Sequence, residues 1–202
     1  MRNQRLEIHL PAGIAGVLLF AAAMSRLIPH PPNFAPVTAM AVFAGWTFPS
    51  FGSGVITVLG TMLVSDTALA LVHNDWGYLF HSMLPVVYGT FVLIITISRI
   101  VASVRRSFIR GVGSLLLGST IFFVVTNFFV WALGTFYPHT WEGLLTCYAM
   151  AVPFYHTNGL APFELVRNAL AADLLYGGML FSLQWGLQTI FVPTLQRLRR
   201  SH

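Results

Sequence analysis

The sequence has little charge, since only 8% of its 202 residues are Asp, Glu, Lys or Arg. Soluble globular chains carry about 25% charged residues, so this composition excludes a water-soluble enzyme. A single cysteine excludes a disulfide scaffold, because it cannot form an internal bridge. Lysine is absent as well, and 11 arginines carry the positive charge. With 56% hydrophobic residues and a mean hydropathy of +0.74, the sequence predicts an integral membrane protein.

The sequence also lacks the common signatures of catalytic and nucleic-acid-binding proteins. It has no Gly-rich phosphate loop, no Gly-x-Ser-x-Gly elbow and no His-Glu-x-x-His helix. A catalytic site is therefore not predicted. The arginines lie in separate clusters rather than along one basic face, so nucleic acid is not an expected partner.

The apolar residues form runs of the length that a membrane helix needs. About 20 apolar residues span a bilayer core of roughly 30 Å. Six runs are predicted to cross the lipid, over residues 10–28, 37–48, 55–72, 79–101, 112–136 and 165–195. The second run is short, so its neighbours must shield it or the bilayer must thin around it. A seventh patch, near 144–154, has the length of a re-entrant or interfacial segment. The predicted fold is an all-α polytopic membrane bundle of six transmembrane helices, one domain over residues 1–202.

The arginines indicate how this bundle lies in the membrane. They cluster at the start of the chain, between the fourth and fifth runs, and at the end. With six crossings all three clusters lie on one side, which the positive-inside rule assigns to the cytoplasm. We therefore expect a multi-pass protein of the cell inner (cytoplasmic) membrane with both termini in the cytoplasm. Arg2, Arg5 and the alanines at 21–23 are also compatible with a cleavable signal peptide.

Small residues spaced four apart predict close contacts between helices. The pairs Ala12 with Gly16 and Ala41 with Gly45 have this spacing, which lets helix backbones approach each other. Such pairs most often pack inside a bundle, and the alternative is a face that docks another membrane subunit.

Polar residues collect on the predicted outer side of the membrane. Membrane interfaces are rich in Trp and Tyr, but the histidines and asparagines there favour a pocket that opens outward. A carboxylate at the centre of a membrane span raises the free energy of inserting that helix by about 2.5–3.5 kcal/mol. Asp66 and Asp173 are therefore interpreted either as ligand contacts or as ion-pair partners of Arg26 and Arg167. The residues predicted to bind substrate are His30, Asn33, Asp66, Trp76, His81, Tyr88, Asn127, Trp141 and Tyr148.

This layout resembles the S components, the substrate-binding membrane subunits of energy-coupling-factor vitamin transporters. The resemblance implies six helices, an outward pocket and a transmembrane coupling subunit with ATPases. The solitary cobalamin-specific type has a histidine ahead of the second helix, an aspartate late in the third helix and a tyrosine in the fourth. In this chain, His30, Asp66 and Tyr88 are similarly placed. That type ligates cobalt through a cysteine in the fourth-helix region, where this chain has none. His81 or Cys147 would then have to supply the metal ligand.

The chain also resembles a bacterial six-helix membrane family of unassigned function. Four motifs carry this resemblance: Pro29-His30-Pro31-Pro32-Asn33-Phe34, Ser65-Asp66, Thr126-Asn127-Phe128 and Cys147-Tyr148.

The leading hypothesis is a membrane-embedded protein that binds and takes up a small vitamin-like molecule from the outer face. Cobalamin or a related corrinoid is the first candidate as transported ligand, and an enzyme is less favoured. One alternative is a metal-dependent membrane enzyme that uses Cys147 and the outer histidines His30, His81, His139 and His156. Another is a structural membrane subunit. The expected partners are the lipid bilayer, a small-molecule substrate and the coupling subunit.

Overall fold

The structure, a computed structural model, describes residues 11–104, 106–151 and 164–200, the last with backbone only at 164–165 and 190–200. Over these ranges the chain is helical and contains no strand, which confirms the all-α prediction there. The α-helices are α1 (Ala12–Met24), α2 (Val37–Thr47), α3 (Phe51–His73), α4 (Leu84–Val104), α5 (Phe108–Leu133), α6 (Trp141–Ala151) and α7 (Glu164–Arg200). Two 3-10 turns lie at Ser25–Leu27 and Trp76–Tyr78.

Within the described residues, three helices, α3, α4 and α5, are long and apolar enough to cross a membrane. They have 23, 21 and 26 residues, whereas about 20 suffice for the bilayer core. The segment Ala12–Leu27 and helix α2 are apolar but shorter. The long apolar helices indicate a membrane protein.

The first helices run in alternating directions. Gly16 in α1 lies beside Thr57 in α3, and Arg26 beyond α1 contacts Asp66 further along α3. Helices α1 and α3 are therefore parallel. Helix α4 runs the opposite way, because Tyr88 near its start reaches the same Asp66.

Helices α5 and α7 also run in opposite directions. Ser119 in α5 contacts Asp173 in α7, while Leu115, one turn earlier in α5, packs on Gly177, one turn later in α7. Helices α5 and α7 are therefore antiparallel. The bundle has an arginine-rich end, where α4 ends and α5 begins, and a polar end, where α3 ends and α4 begins.

The arginine-rich end carries three of the predicted cluster residues, Arg99, Arg106 and Arg110. Arg99 donates hydrogen bonds to the carbonyls of Phe48 and Pro49, at 2.9 and 2.7 Å, and so ties α4 to the connection between α2 and α3. The other cluster members lie outside the described residues or have undescribed side chains: Arg2, Arg5, Arg105, Arg197, Arg199 and Arg200.

Helix α2 forms the centre of the bundle. Every residue from Thr38 to Thr47 is buried, and α1, α3, α4, α5 and α7 all pack against this helix. Its 11 residues make a helix only about 17 Å long. The prediction that neighbours shield this short run is confirmed.

The tightest approach of α2 to α4 occurs at Gly45. A Cβ atom there would lie 2.6 Å from the carbonyl oxygen of Ile95, so only glycine fits. The predicted close contact at the Ala41 and Gly45 pair is thus confirmed. Gly16 has more room, with its hypothetical Cβ 3.7 Å from Cγ2 of Thr57.

Helix α6 follows the later half of α5, toward the polar end, without reaching the arginine-rich end. Among the described elements it packs on α5 alone. The Tyr148 hydroxyl donates to the Val124 carbonyl at 2.7 Å, nine residues before the end of α5. The first turns of α7 lie again at the polar end, since the Asn168 side chain donates to the carbonyl of Pro32 at 3.1 Å.

Candidate functional site

A cavity of about 370 Å³ lies at the polar end, between the turn after α1, helix α3 and helix α4. Asp66 and Met62 are buried at its floor, whereas Asp75, Tyr78 and His81 are exposed at its mouth. The described residues that line it are Arg26, Met62, Asp66, Asp75, Gly77, Tyr78, His81, Leu84, Val87 and Tyr88.

The mouth of the cavity is shaped by the way α3 ends. Asn74 adopts the left-handed conformation, with φ of 50°, which asparagine tolerates better than most residues. The Asp75 carboxylate then accepts a hydrogen bond from the N–H of Gly77 at 2.8 Å, an Asx turn that starts the second 3-10 turn. His73 stacks on Tyr78 with ring centroids 5.5 Å apart. These local contacts hold Tyr78 at the cavity mouth.

The floor of the cavity is a buried ion pair. Arg26 Nη1 lies 2.6 Å from Asp66 Oδ1 and 2.5 Å from Ser65 Oγ. The Tyr88 hydroxyl donates to Asp66 Oδ2 at 2.8 Å. The side chains of Arg26 and Asp66 are only 15% and 6% exposed. Both carboxylate oxygens are therefore engaged, and the charge within α3 is compensated, as a charge in lipid must be.

The second buried carboxylate, Asp173, has a different set of partners. The Ser119 hydroxyl donates to Oδ2 at 2.5 Å, and the N–H of Ala39 donates to Oδ1 at 3.2 Å. Ala39 is in the first turn of α2, whose N-cap Pro36 has no capping side chain. Asp173 thus supplies a hydrogen-bond acceptor at the positive end of the α2 dipole. These contacts join α2, α5 and α7.

The structure brings three of the nine predicted site residues together. Asp66, His81 and Tyr88 line the cavity. Trp76 lies in the adjoining 3-10 turn with 51% of its surface exposed. The binding roles of all nine residues remain predictions.

Two predicted residues lie in the exposed connection between α1 and α2. His30 has its Nδ1 atom 2.9 Å from the carbonyl oxygen of Pro31. Asn33 has a positive φ of 60° and so forms a turn. Neither residue lines the cavity.

Three further predicted residues lie on the other flank, along α5 and α6. The Asn127 amide donates to the Phe123 carbonyl of its own helix at 2.8 Å. Tyr148 is hydrogen-bonded to α5, and Trp141 is 78% exposed at the start of α6. Because α6 packs on α5 alone among the described elements, these residues do not reach the cavity.

The candidate metal ligands have no ligand set around them in the part of the chain that the structure describes. No group of three or more His, Cys, Asp or Glu side chains occurs there. Cys147 is buried, and its thiol donates to the carbonyl of Asn127 at 3.4 Å. His81 is exposed at the cavity mouth. His156, which the metal hypothesis also used, lies outside the described residues.

Several residues of the cavity were not predicted from the sequence. Arg26 was considered only as an ion-pair partner, and Asp75, Tyr78 and Met62 were not predicted as site residues, although all four line the cavity. One available signal was the run from Asn74 to Gly77, which has the composition of a tight turn. Such a turn brings the end of α3 and the start of α4 together.

Comparison with known proteins gives a family. No curated protein matches the chain, and no solved structure does. A family described as a family of unknown function, DUF6580, matches residues 8–195, which is almost the whole chain. The protein belongs to the DUF6580 family.

Proposed function

We propose that the protein is a membrane-embedded binding protein that captures a small polar molecule at the outer face and delivers it inward. The observation that carries this proposal is the cavity of about 370 Å³ at the polar end. Small-molecule pockets have volumes of about 300–1,000 Å³ and combine apolar walls with a few polar groups. Leu84 and Val87 supply apolar wall here, and the paired Arg26 and Asp66 supply a preformed polar floor.

The proposal includes six membrane crossings with α6 as a re-entrant segment. The alternating directions of α1 to α5 and the start of α7 at the polar end support this count. Helix α6 extends along only part of α5, which also supports it. The positive-inside rule assigns the arginine-rich end to the cytoplasm. The cavity then opens to the outside of the inner membrane.

Size and charge of the cavity narrow the ligand class. A volume of about 370 Å³ lies in the lower part of the range for small-molecule sites. It supports a vitamin-like molecule smaller than a corrinoid. The lining carries one arginine and two aspartates, Arg26, Asp66 and Asp75, so its carboxylates outnumber its guanidinium groups by one. This excess favours a ligand with a positively charged group.

Delivery of the ligand requires an energy source. The chain has no nucleotide-binding motif, so we propose a transmembrane coupling subunit with ATPases as its partner. The exposed side of α1 around Gly13 and Val17 offers a face for that subunit.

The test is to fill the cavity without disturbing the ion pair at its floor. Leu84→Trp places a large ring in the cavity wall. Leu93→Trp is the matched control, on the same helix, 41% exposed and outside the lining. We expect a small organic molecule to co-purify with the wild-type protein and with Leu93→Trp, and to be lost from Leu84→Trp. Mass spectrometry of the molecules released on denaturation measures this.

Several outcomes would contradict the proposal or correct it. Equal amounts of released molecule from both tryptophan variants would contradict it, as would a wild-type sample no richer than a mock purification. A released corrinoid would support uptake but overturn the size argument. Metal found by elemental analysis without any organic molecule would instead favour the metal-dependent enzyme.

A further inference from the structure

A second and larger space lies at the other end of the bundle. A crevice of about 660 Å³ runs between α5 and α7, with Trp46 of α2 in its wall. It extends along α7 from Leu174 to Gln188, a distance of about 21 Å at 1.5 Å per residue. This length corresponds to more than half of a bilayer core of roughly 30 Å. The crevice therefore has the length of an acyl chain within one leaflet.

Two glycines keep the crevice open. Gly111 in α5 and Gly178 in α7 both line it, and a Cβ atom added at either would meet nothing within 4 Å. The neighbouring Gly177 is different, because its Cβ would lie 2.5 Å from Leu115. Close packing at Gly177 thus holds the two helices together beside an unfilled space.

The walls of the crevice are apolar and open sideways. Phe108 and Trp185 are 86% and 70% exposed, so in a membrane they would face hydrocarbon. Two polar wall groups already have protein partners. Trp46 Nε1 donates to Ser114 at 3.2 Å, and Gln184 accepts a hydrogen bond from the Thr47 hydroxyl at 3.0 Å. An occupant would therefore enter from the lipid and bind through hydrocarbon.

The end of the crevice is positively charged. Arg106 lines it just before α5 begins, and Arg110 follows one turn later at the same end. Among the side chains that the structure describes, neither arginine forms an ion pair. The guanidinium fork matches the geometry of a phosphate, and the first turn of α5 adds partial positive charge. A neutral amphiphile would have no anionic group to pair with this positive charge.

We propose that this crevice binds an anionic phospholipid, with one acyl chain between α5 and α7 and its phosphate at Arg106. Basic pockets between membrane helices on the cytoplasmic side are known to suit anionic headgroups. The site is separate from the polar cavity, so this inference stands independently of the proposed uptake function.

To test this, the purified full chain is incubated with an equimolar mixture of phosphatidylglycerol and phosphatidylcholine that have identical acyl chains. Native mass spectrometry then counts the lipids that the protein retains. We expect phosphatidylglycerol to be retained about fivefold over phosphatidylcholine, with Arg106→Gln removing most of that preference. Gly178→Leu fills the crevice and should abolish retention of both lipids. Gly186→Leu, on the same helix with no atom within 4 Å and outside the lining, should leave it unchanged.

Three results would overturn the proposal. The first is that the wild-type protein retains the two lipids equally. The second is that folded Gly178→Leu still retains lipid. The third is that the wild-type protein is a dimer and Gly178→Leu dissociates it, which would make the crevice a contact between two copies of the chain. Should Gly178→Leu fail to fold, Gly111→Leu repeats the test on α5. Gly113→Leu is its control, since it too has open space but does not line the crevice.

Discussion

Replacing Asp66 alone with alanine is expected to lower the free energy of unfolding by about 3–5 kcal/mol. The carboxylate contacts Arg26 at 2.6 Å and accepts from Tyr88 at 2.8 Å. Its removal leaves the Arg26 side chain, only 15% exposed, without its counter-ion. A buried charge that loses its partner costs far more than the pair contributes while intact.

The double variant Arg26→Met with Asp66→Leu separates these two effects. Replacing both charges with apolar side chains of similar size is expected to recover most of the loss, because no uncompensated charge remains. Thermal unfolding of the purified protein in detergent measures both variants. Losses that simply add would contradict the coupling between Arg26 and Asp66.

This ion pair changes how the candidate site must be tested. Weaker ligand binding by Asp66→Ala would not identify a ligand contact, because the same change damages the cavity floor. For this reason the test of function uses Leu84→Trp, which lies in the wall and leaves Arg26 and Asp66 in place.

Gly45→Ala is expected to destabilise the protein by about 1–3 kcal/mol. The added methyl group would lie 2.6 Å from the Ile95 carbonyl oxygen and 2.8 Å from Cβ of Ser98. Both atoms belong to α4, so α2 and α4 would have to separate. This cost outweighs the better helix propensity of alanine, worth about 1 kcal/mol.

Gly60→Ala is the matched control for this prediction. Gly60 is exposed in α3, and a Cβ there would meet nothing within 4 Å. Its substitution should leave stability unchanged or raise it by up to about 1 kcal/mol. The same thermal unfolding experiment compares the two variants. Equal effects at positions 45 and 60 would show that α2 and α4 do not approach closely at Gly45.

Much of the fold could be predicted from the sequence because lipid imposes strong rules on it. Apolar run length indicated the helices, and the short second run between Pro36 and Pro49 implied shielding by neighbours. Spacing by four predicted the close approach at Gly45, which the structure contains. Each of these inferences uses only the residue pattern of one segment and the properties of the lipid around it.

The site was harder to predict because hydropathy fixes depth in the membrane but not the neighbour that a helix face meets. Arg26 and Asp66 were predicted at similar depths and do form an ion pair. The same reasoning paired Arg167 with Asp173. The Asp173 carboxylate accepts hydrogen bonds from Ser119 and Ala39.

For the same reason, residues predicted to share one pocket lie in separate parts of the structure. Asn127, Trp141 and Tyr148 belong to α5 and α6, whereas the cavity forms between α3, α4 and the turn after α1. All of these elements have polar groups toward one end of the bundle. Only the packing of α6 on α5 separates the two groups, and no sequence period encodes that packing.

We propose that the polar cavity opens to the outside of the cell, with the arginine-rich end in the cytoplasm. Two conservative substitutions test it in a Cys147→Ala background: Ser82→Cys at the polar end and Ser103→Cys at the arginine-rich end, both at exposed positions. Intact cells expressing each full chain are treated with a membrane-impermeant maleimide. We expect labelling at position 82 in intact cells and at position 103 only after permeabilisation. Labelling in the reverse pattern, or of both positions from outside, would contradict it.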